Sequence, residues 1–369
     1  MQILNTDTQL EAVKTLLNRR NLLFVENEEL IRRVKEILYQ VSKVGDEALL
    51  NYSARFDQVE LSVAELKVTP EEFKEAYSHV NDEFLAALQI ARKNIFSFHQ
   101  KQLRQSWVTY DQHGILLGQR FLPLESAGLY VPGGVGGKTP LVSTVLMNAL
   151  PAVVAEVPRI IICTPPRQDK TVNPFLLVAA KEVGVNEVYK VGGAQAIAAM
   201  AFGTETINRV NKIVGPGNLY VTMAKRFVYG EVGLDMLAGP SEILIIADES
   251  ADPMLVAADL LSQAEHGPVD EAGAILLTTS KSLLKAVALE VEKQLADLPR
   301  QTIARASLEK SGGLILVKDL NEAVELANFA APEHLELMVA EPYLWVSKIK
   351  NAGAIFLGAY SPEPIGDYV

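Results

Sequence analysis

A glutamate and a histidine stand side by side at Glu333 and His334, immediately after Pro332. An imidazole titrates near neutral pH and can take a proton from a substrate, and a neighbouring carboxylate can activate water. Pro332 lacks a backbone N–H and disfavours helical geometry in Ala331, so the chain is expected to turn there after a helix-like run over 320–328. The structural alternative places Glu333 in the first turn of a helix, facing the helix dipole.

A second group of polar side chains falls within Asp252–Gly267, whose Asp-Pro start and glycine end are typical of a helix. Gln263 and His266 are three residues apart and would share one face near the helix end. Two neighbouring donors on a rigid helix could form half of a metal site, because imidazole is a common zinc ligand, although a glutamine amide is an unusual one. A solvated polar face would explain the same spacing.

The last residues of the chain supply two further acids, Glu363 and Asp367, after a predicted strand at 353–357. Loops that follow strands are where α/β proteins hold ligands, but a polar loop or a fraying terminus would also explain these acids. Ser241 has flanking residues that do not match the Gly-x-Ser-x-Gly nucleophile pattern. A hydrogen bond from its hydroxyl to a ligand is therefore the favoured role.

Three glycine-rich segments each lie between a predicted strand and a predicted helix. The segment Val131–Thr139 fits neither the Walker spacing nor the dinucleotide fingerprint. Gly192–Gln195 and Gly215–Asn218 are shorter turns of the same kind. Because the carboxyl ends of parallel strands share one sheet edge, three such turns predict an edge that binds an anion or a cofactor.

The elements that position these residues change in character along the chain. The first hundred or so residues carry helical periodicity, and Thr69-Pro70 is a strong helix start. From Leu124 onward short apolar strands alternate with helices, which predicts an α/β fold with mainly parallel sheets in two tandem doubly wound modules, joined near Asp235–Glu242. The predicted strands are 128–131, 159–164, 187–191, 212–214, 242–247, 273–278, 313–317 and 353–357.

Composition restricts the class of protein. The chain has 369 residues, 49% hydrophobic and 21% charged, which is typical of a globular protein with two or three domains. A formal charge of −11 without a basic stripe argues against a nucleic-acid partner. The single cysteine, Cys163, lies in an apolar run, which excludes a disulfide framework and favours a packing role. No 18-residue apolar stretch or N-terminal signal pattern occurs, so we expect a cytoplasmic protein without a membrane partner.

Six ordered motifs together resemble the histidinol dehydrogenase family, from the N-terminal helices to the last residue. The motifs lie at 128–134, 191–199, 212–218, 238–242, 261–266 and 331–336. The resemblance implies a zinc-dependent homodimer that oxidises L-histidinol through L-histidinal to L-histidine in two NAD-dependent steps. These are the last reactions of histidine biosynthesis.

The resemblance also assigns roles to individual residues. His334 would take a proton as the hydride leaves, and Glu333 would activate water for the second oxidation. The residues that match zinc ligands are Gln263, His266 and Asp367, and the zinc would hold the imidazole and amine of the substrate. Ser241 and His334 would contact the substrate as well. The residues that match cofactor contacts are Tyr130, Gln195 and Asn218.

The domain organisation implied by the resemblance is two incomplete Rossmann-like domains with small terminal domains. We expect a helical N-terminal arm over 1–25. A first α/β domain would combine 26–127, which is helical, with 242–369 and would carry the zinc and catalytic residues. A second Rossmann-like domain over 128–241 would bind NAD.

The family pattern continues beyond Gly-Asp-Tyr into a segment that supplies a further zinc ligand across the dimer, whereas this chain ends at Val369. We therefore expect impaired metal affinity, dimer stability and activity in this chain alone. Two alternatives stay open: an inactive relative that binds a ligand or partner protein, and a Glu/His zinc hydrolase. Zinc content would separate the first from a dehydrogenase, and the hydrolase would have no need of NAD.

Overall fold

The computed structural model describes residues 1–18, 28–133, 141–237, 239, 241–266 and 272–368. By their contacts these residues form two compact units. Unit 1 comprises Met1–Val25 and Gly239–Gly366, and unit 2 comprises Glu26–Ala238 and Asp367–Val369. Across the described ranges, no helix is both long enough and apolar enough to cross a membrane.

The elements are numbered in chain order. The strands are β1 (Gln2–Asn5), β2 (Trp107–Tyr110), β3 (Leu116–Gln119), β4 (Ser126–Tyr130), β5 (Arg159–Thr164), β6 (Glu187–Lys190), β7 (Lys212–Val214), β8 (Gly233–Leu234), β9 (Glu242–Ala247), β10 (Gly273–Thr278), β11 (Gly312–Leu316), β12 (His334–Met338) and β13 (Ala354–Leu357). The α-helices are α1 (Thr6–Leu17), α2 (Glu28–Val44), α3 (Asp46–Tyr52), α4 (Pro70–Ala76), α5 (Asp82–Gln100), α6 (Val142–Val154), α7 (Pro174–Glu182), α8 (Gly193–Phe202), α9 (Leu219–Val228), α10 (Pro253–Ala264), α11 (Lys281–Leu295), α12 (Gln301–Ser311), α13 (Leu320–Ala330) and α14 (Pro342–Val346).

Unit 1 is built on a parallel six-stranded sheet in the order β1-β11-β10-β9-β12-β13. The chain first contributes the edge strand β1; it later re-enters the middle of the sheet at β9, builds outward through β10 and β11, and then returns to add β12 and β13 on the other side. Helices α10, α11 and α12 pack on one face, and α1 and α13 pack on the other. The predicted α/β class with parallel sheets is confirmed.

Unit 2 contains a parallel five-stranded sheet in the order β6-β5-β4-β7-β8. The chain starts at the central strand β4, moves outward to β6, and then crosses back to β7 and β8. The strand order therefore reverses between β4 and β7, which is where doubly wound folds bind ligands beyond the carboxyl ends of the strands. One face is covered by α2, α3, α8 and α9, and the other by α4 to α7.

The predicted assignment of 26–127 to the zinc-carrying domain is corrected by these contacts. The apolar stripe of α2, which includes Leu30, Val34 and Ile37, packs against α8 and α9 in unit 2. The stripe of α5 packs in the same way against α6. The sequence pattern shows that such stripes need a partner, but it does not show which sheet supplies one.

Local sequence signals predicted helix starts correctly but missed several short strands. Thr69 caps α4 in a reciprocal capping box with Glu72, and Asp252 caps α10 by accepting a hydrogen bond from the Met254 N–H. The predicted strands match β4–β7, β9–β11 and β13 within two residues. The sequence analysis did not predict β1, β8, β12 or the exposed antiparallel hairpin of β2 and β3.

We expect Ile245→Ala to destabilise unit 1 by about 2–5 kcal/mol, because Ile245 is fully buried in the central strand β9 and the substitution leaves a cavity. Ile3→Ala is the matched control, since Ile3 belongs to the same sheet but is 61% exposed. Urea unfolding curves of the two variants measure the difference. Equal effects would contradict the packing described for β9.

Candidate functional site

The turn at Pro332 is present, and it leads into a strand. Helix α13 ends at Ala331, which takes the left-handed conformation with φ 51°, and β12 begins at His334. The alternative that places Glu333 in the first turn of a helix is therefore wrong. The sequence analysis missed β12, although Leu335 and Leu337 alternate with polar residues as in a strand with two different faces.

His334 is held within a cluster of polar side chains in unit 1. Its Nδ1 lies 3.1 Å from Oε1 of Gln263, and its Nε2 lies 3.8 Å from Oε1 of Glu363. An amide oxygen only accepts, so the first contact places a proton on Nδ1 and leaves a free lone pair on Nε2. Burial, together with the nearby His266, lowers the pKa of His334 to about 4. The imidazole is thus unprotonated at neutral pH.

Glu333 is fixed through its backbone and remains partly open at its carboxylate. The Ala354 N–H donates to the Glu333 carbonyl at 2.8 Å, and a Cβ on Gly353 would lie only 2.6 Å from the same oxygen. The carboxylate accepts a 3.4 Å hydrogen bond from the Glu242 N–H and lies 4.0 Å from Nδ1 of His334. Burial raises the pKa of Glu333, which makes its carboxylate more basic than a fully hydrated one.

The predicted donor pair on α10 converges with His334 in part. Gln263 is 1% exposed, and its Nε2 has no hydrogen-bond partner among the described residues. His266 lies just beyond the end of α10 and is exposed. Ser241 immediately precedes β9, and its carbonyl accepts a hydrogen bond from the Gly273 N–H.

These residues lie at the amino ends of the unit 1 strands, because α10 runs back along the sheet and ends where β9 and β12 begin. The candidate residues of this unit therefore lie at the edge opposite to the carboxyl ends of the strands, where ligand-binding residues were expected. The loop after β13 returns toward the same edge, and this places Glu363 beside His334. Asp367 closes the 3₁₀ segment Glu363–Asp367 and groups by its contacts with unit 2.

The sequence analysis gave no role to Glu336, which is only 1% exposed. It lies two residues after His334 and therefore on the same face of β12. Oε1 accepts a 2.8 Å hydrogen bond from the Glu363 N–H. Oε2 accepts no hydrogen bond from an N–H or hydroxyl group in the described ranges, and the neighbouring group that can hydrogen-bond to the Glu336 carboxyl is the carboxyl of Asp259. Two carboxyl groups can bond to each other only through a shared proton, and burial first, then Asp259, raises the pKa of Glu336 to about 9.

A three-residue metal cluster of His, Cys, Asp or Glu side chains is not found in the part of the chain that the structure describes. The predicted ligand set includes an amide, Gln263, which lies outside those four residue types. Its buried amide is only half satisfied by His334.

The three predicted cofactor residues all lie in unit 2, at the carboxyl ends of its strands. Tyr130 ends β4, is buried, and accepts a 3.1 Å hydrogen bond from the Gly193 N–H. Gln195 is buried in the first turn of α8, whereas Asn218 is exposed and caps α9 by accepting from the Val221 N–H. In the segment Val131–Thr139, residues 134–139 lie outside the described ranges.

Comparison with known proteins places these sites in context. Residues 23–369 match the family model described as Histidinol dehydrogenase. A Histidinol dehydrogenase 2 from a Nostoc species is 53% identical over 336 residues, which cover 91% of this chain and 76% of that protein. A Histidinol dehydrogenase from Bacillus cereus is 50% identical over 369 residues, 100% of this chain and 84% of that protein. The crystal structure of Histidinol Dehydrogenase from Elizabethkingia anophelis has a TM-score of 0.92 and 40% identity, covering 100% of this chain and 83% of that one.

The raised pKa of Glu336 predicts the pH dependence of stability. The folded state holds this proton more tightly than the unfolded chain, so stability is fully present below pH 4.5 and is lost as pH rises toward about 9. One proton contributes at most about 1.4 kcal/mol per pH unit to that loss. We expect Glu336→Gln, a neutral isostere, to flatten the dependence in urea unfolding at several pH values. Glu309→Gln on the exposed face of α12 is the control, and identical pH profiles for wild type and Glu336→Gln would contradict the shared proton.

Proposed function

Because this chain belongs to the histidinol dehydrogenase family, an oxidoreductase family, we propose that it oxidises L-histidinol through L-histidinal to L-histidine, using NAD and a bound zinc ion. The observation that carries the proposal is the placement of an unprotonated imidazole, His334, at the start of β12, 4.0 Å from the Glu333 carboxylate, whose side chain is 45% exposed. Membership of this family does not favour the zinc hydrolase. The comparisons also give no support to an inactive relative.

His334 is suited to act as the general base. Its Nδ1–H is engaged by Gln263, so Nε2 can accept the proton of the substrate hydroxyl while the hydride leaves from carbon. Glu363, 3.8 Å from Nε2, stabilises the imidazolium that forms. A base whose pKa lies below neutrality stays available in its unprotonated form throughout the physiological range.

Glu333 is suited to the second oxidation, in which an aldehyde must first gain the elements of water. Its carboxylate can take a proton from water as the water oxygen bonds to the aldehyde carbon and the C=O electron pair moves to the carbonyl oxygen; that oxygen then takes the proton back from Glu333, and this gives the hydrate. The hydrate presents a hydroxyl for the second removal of a proton and a hydride. The Glu333 backbone is held by the hydrogen bond from Ala354 and by the close approach of Gly353. This fixes the position from which the carboxylate extends beside His334.

The residues proposed to hold NAD form a backbone cradle in unit 2. A Cβ on Gly215 would lie 2.2 Å from the Tyr130 carbonyl oxygen, and a Cβ on Gly193 would lie 2.7 Å from Oε1 of Gln195. A side chain at either position would collide with Tyr130 or Gln195, so glycine is required in both turns that carry the proposed cofactor residues. Asn218, exposed at the start of α9, completes the proposed set. When bound, NAD accepts the hydride.

The residues proposed to hold zinc are Gln263, His266 and Asp367, which together with His334 and Ser241 would contact the substrate. Amide oxygen, imidazole and carboxylate are all ligands that zinc accepts, and Oε1 of Gln263, which faces His334 Nδ1 with one lone pair, has a second lone pair for a metal. When bound, zinc orients the substrate and acts as a Lewis acid.

We further propose that the protein is a cytoplasmic homodimer, as in the family that it resembles. The hairpin of β2 and β3 supports self-association, because it exposes apolar side chains along both strands. These include Trp107, Val108, Leu116 and Leu117, each at least 50% exposed. Exposed apolar surface of this kind marks protein contacts.

We expect Glu333→Gln and His334→Asn to separate the two oxidation steps. Glu333→Gln should retain oxidation of L-histidinol to the aldehyde but lower the oxidation of L-histidinal by about 10²–10⁴-fold, because only the second step needs water activation. His334→Asn should lower both steps. NADH formation from each substrate in single turnovers measures this, with Glu325→Gln, an exposed residue of α13, as the control. An equal loss on both substrates in Glu333→Gln would contradict its assigned role.

We expect His266→Asn to reduce the zinc retained after dialysis against limiting zinc, because it removes the imidazole donor of the proposed set. Atomic absorption gives the metal content without reference to activity. His79→Asn, an exposed histidine of unit 2, should leave zinc content unchanged. Full zinc occupancy in His266→Asn would remove His266 from the ligand set.

A further inference from the structure

Unit 2 contains an ion pair between a buried lysine and a partly exposed aspartate that has no role in the proposed reaction. Lys225, on α9, has a side chain that is only 3% exposed, and its Nζ lies 2.5 Å from Oδ1 of Asp235. A buried lysine is costly unless it is paired. Such a pair contributes little net stability compared with apolar residues of the same volume. Its main effect is therefore expected on the backbone conformation that it fixes.

The ion pair grips both backbone groups of one glycine. Nζ of Lys225 donates to the Gly215 carbonyl at 2.9 Å, and the Gly215 N–H donates to Oδ2 of Asp235 at 2.8 Å. Asp235 is itself anchored, because its own N–H donates to the Ile213 carbonyl at 3.2 Å and its Oδ1 accepts from the Met236 N–H at 2.6 Å. We call Lys225, Asp235 and Gly215 the glycine clamp.

The clamp acts on a backbone position with little freedom. Gly215 is buried with φ 116°, a conformation that side-chain-bearing residues rarely adopt, and its Cα faces the Tyr130 carbonyl. Buried backbone groups need partners, and those of Gly215 find theirs in the ion pair. Gly215 directly follows β7, so the clamp sits where the strand order reverses between β4 and β7.

The clamp also links the two ends of the segment from Gly215 to Lys225 by a hydrogen bond. The turn runs from Gly215 to Asn218, Asn218 caps α9, and α9 carries Lys225 back to Gly215. A shift of the turn would therefore move Asn218 and break a contact of a buried charge at the same time. Such a shift is costly, because removing the partner of a buried charge is strongly destabilising.

We propose that Lys225 and Asp235 are positioning residues that hold the Gly215–Asn218 turn in the conformation that binds the dinucleotide. This inference rests on the proposed function, since it takes the switch point of unit 2 as the NAD site. The added claim is that the affinity for NAD depends on the Lys225–Asp235 ion pair. This pair contacts the backbone of the turn and not the ligand.

The test uses Lys225→Met and Asp235→Asn in the full chain. The dissociation constant of NAD, by titration calorimetry, and the KM for NAD should both rise about tenfold or more, since small misplacements of a positioned group are costly. The KM for L-histidinol should stay within about twofold of wild type. If the two residues had a purely structural role, their substitution would lower the melting temperature without raising the KM for NAD selectively over the KM for L-histidinol. If Lys225→Met does not fold, Asp235→Asn, which keeps an oxygen acceptor for Gly215, decides.

Arg159→Met is the matched control, because Arg159 forms a partly buried ion pair with Glu187 at the opposite, amino edge of the same sheet. It should lower the melting temperature while leaving NAD affinity unchanged. Equal NAD affinity in wild type and Asp235→Asn, or an equal loss in Arg159→Met, would overturn the glycine clamp. Failure of the wild-type chain to bind NAD would instead overturn the proposed function, and the clamp proposal with it.

Discussion

The register of β12 is the constraint on which the candidate site depends. From its first residue this strand pairs with a neighbour on each side, His334 with Ile243 of β9 and with Ala354 of β13. A strand bonded on both sides cannot slip without moving a buried face, since a one-residue shift would exchange the apolar Leu335 for the polar side chains of the other face. His334 therefore has a rigid backbone although it lies next to a turn. This rigidity fixes the position from which its side chain makes the 3.1 Å contact with Gln263.

The same register places a buried acid, Glu336, two residues along the strand from His334. Glu336 shares the face of His334 and meets Asp259 from α10 and the Glu363 N–H from the loop after β13. Removing the carboxyls of Asp259 and Glu336 from water raises their pKa values. The pair therefore keeps a proton, which links strand β12 to helix α10 without burying two negative charges. The imidazole responds in the opposite direction, because burial disfavours its charged form. One low-polarity environment thus yields a neutral acid and a neutral base a few residues apart.

Sequence reasoning recovered most of the fold because apolar runs and cap residues act locally. Strands such as β9 and β10 carry continuous apolar runs, and Thr69 and Asp252 cap helices by contacts within three residues. It failed where the deciding contact is distant. Helices α2 to α5 were assigned to the domain of the other sheet, since an amphipathic stripe indicates that a packing partner exists without identifying it. Strand β12 was missed because its interior carries a charged residue, Glu336, whose burial depends on Asp259 and Glu363.

By itself the sequence determined the α/β class, the alternation of strands and helices, the turn at Pro332 and the set of motifs that identifies the family. Each of these follows from neighbours along the chain or from residue identity. Only the tertiary structure decided that the acid–base pair opens a strand, that the unit 1 site lies at the amino ends of its strands, and that an ion pair holds Gly215. Lys225 and Asp235 are ten residues apart, and neither stands out in composition or spacing. Their meaning arises when α9 folds back on the end of β7, because a buried charge acts through the groups that folding brings against it.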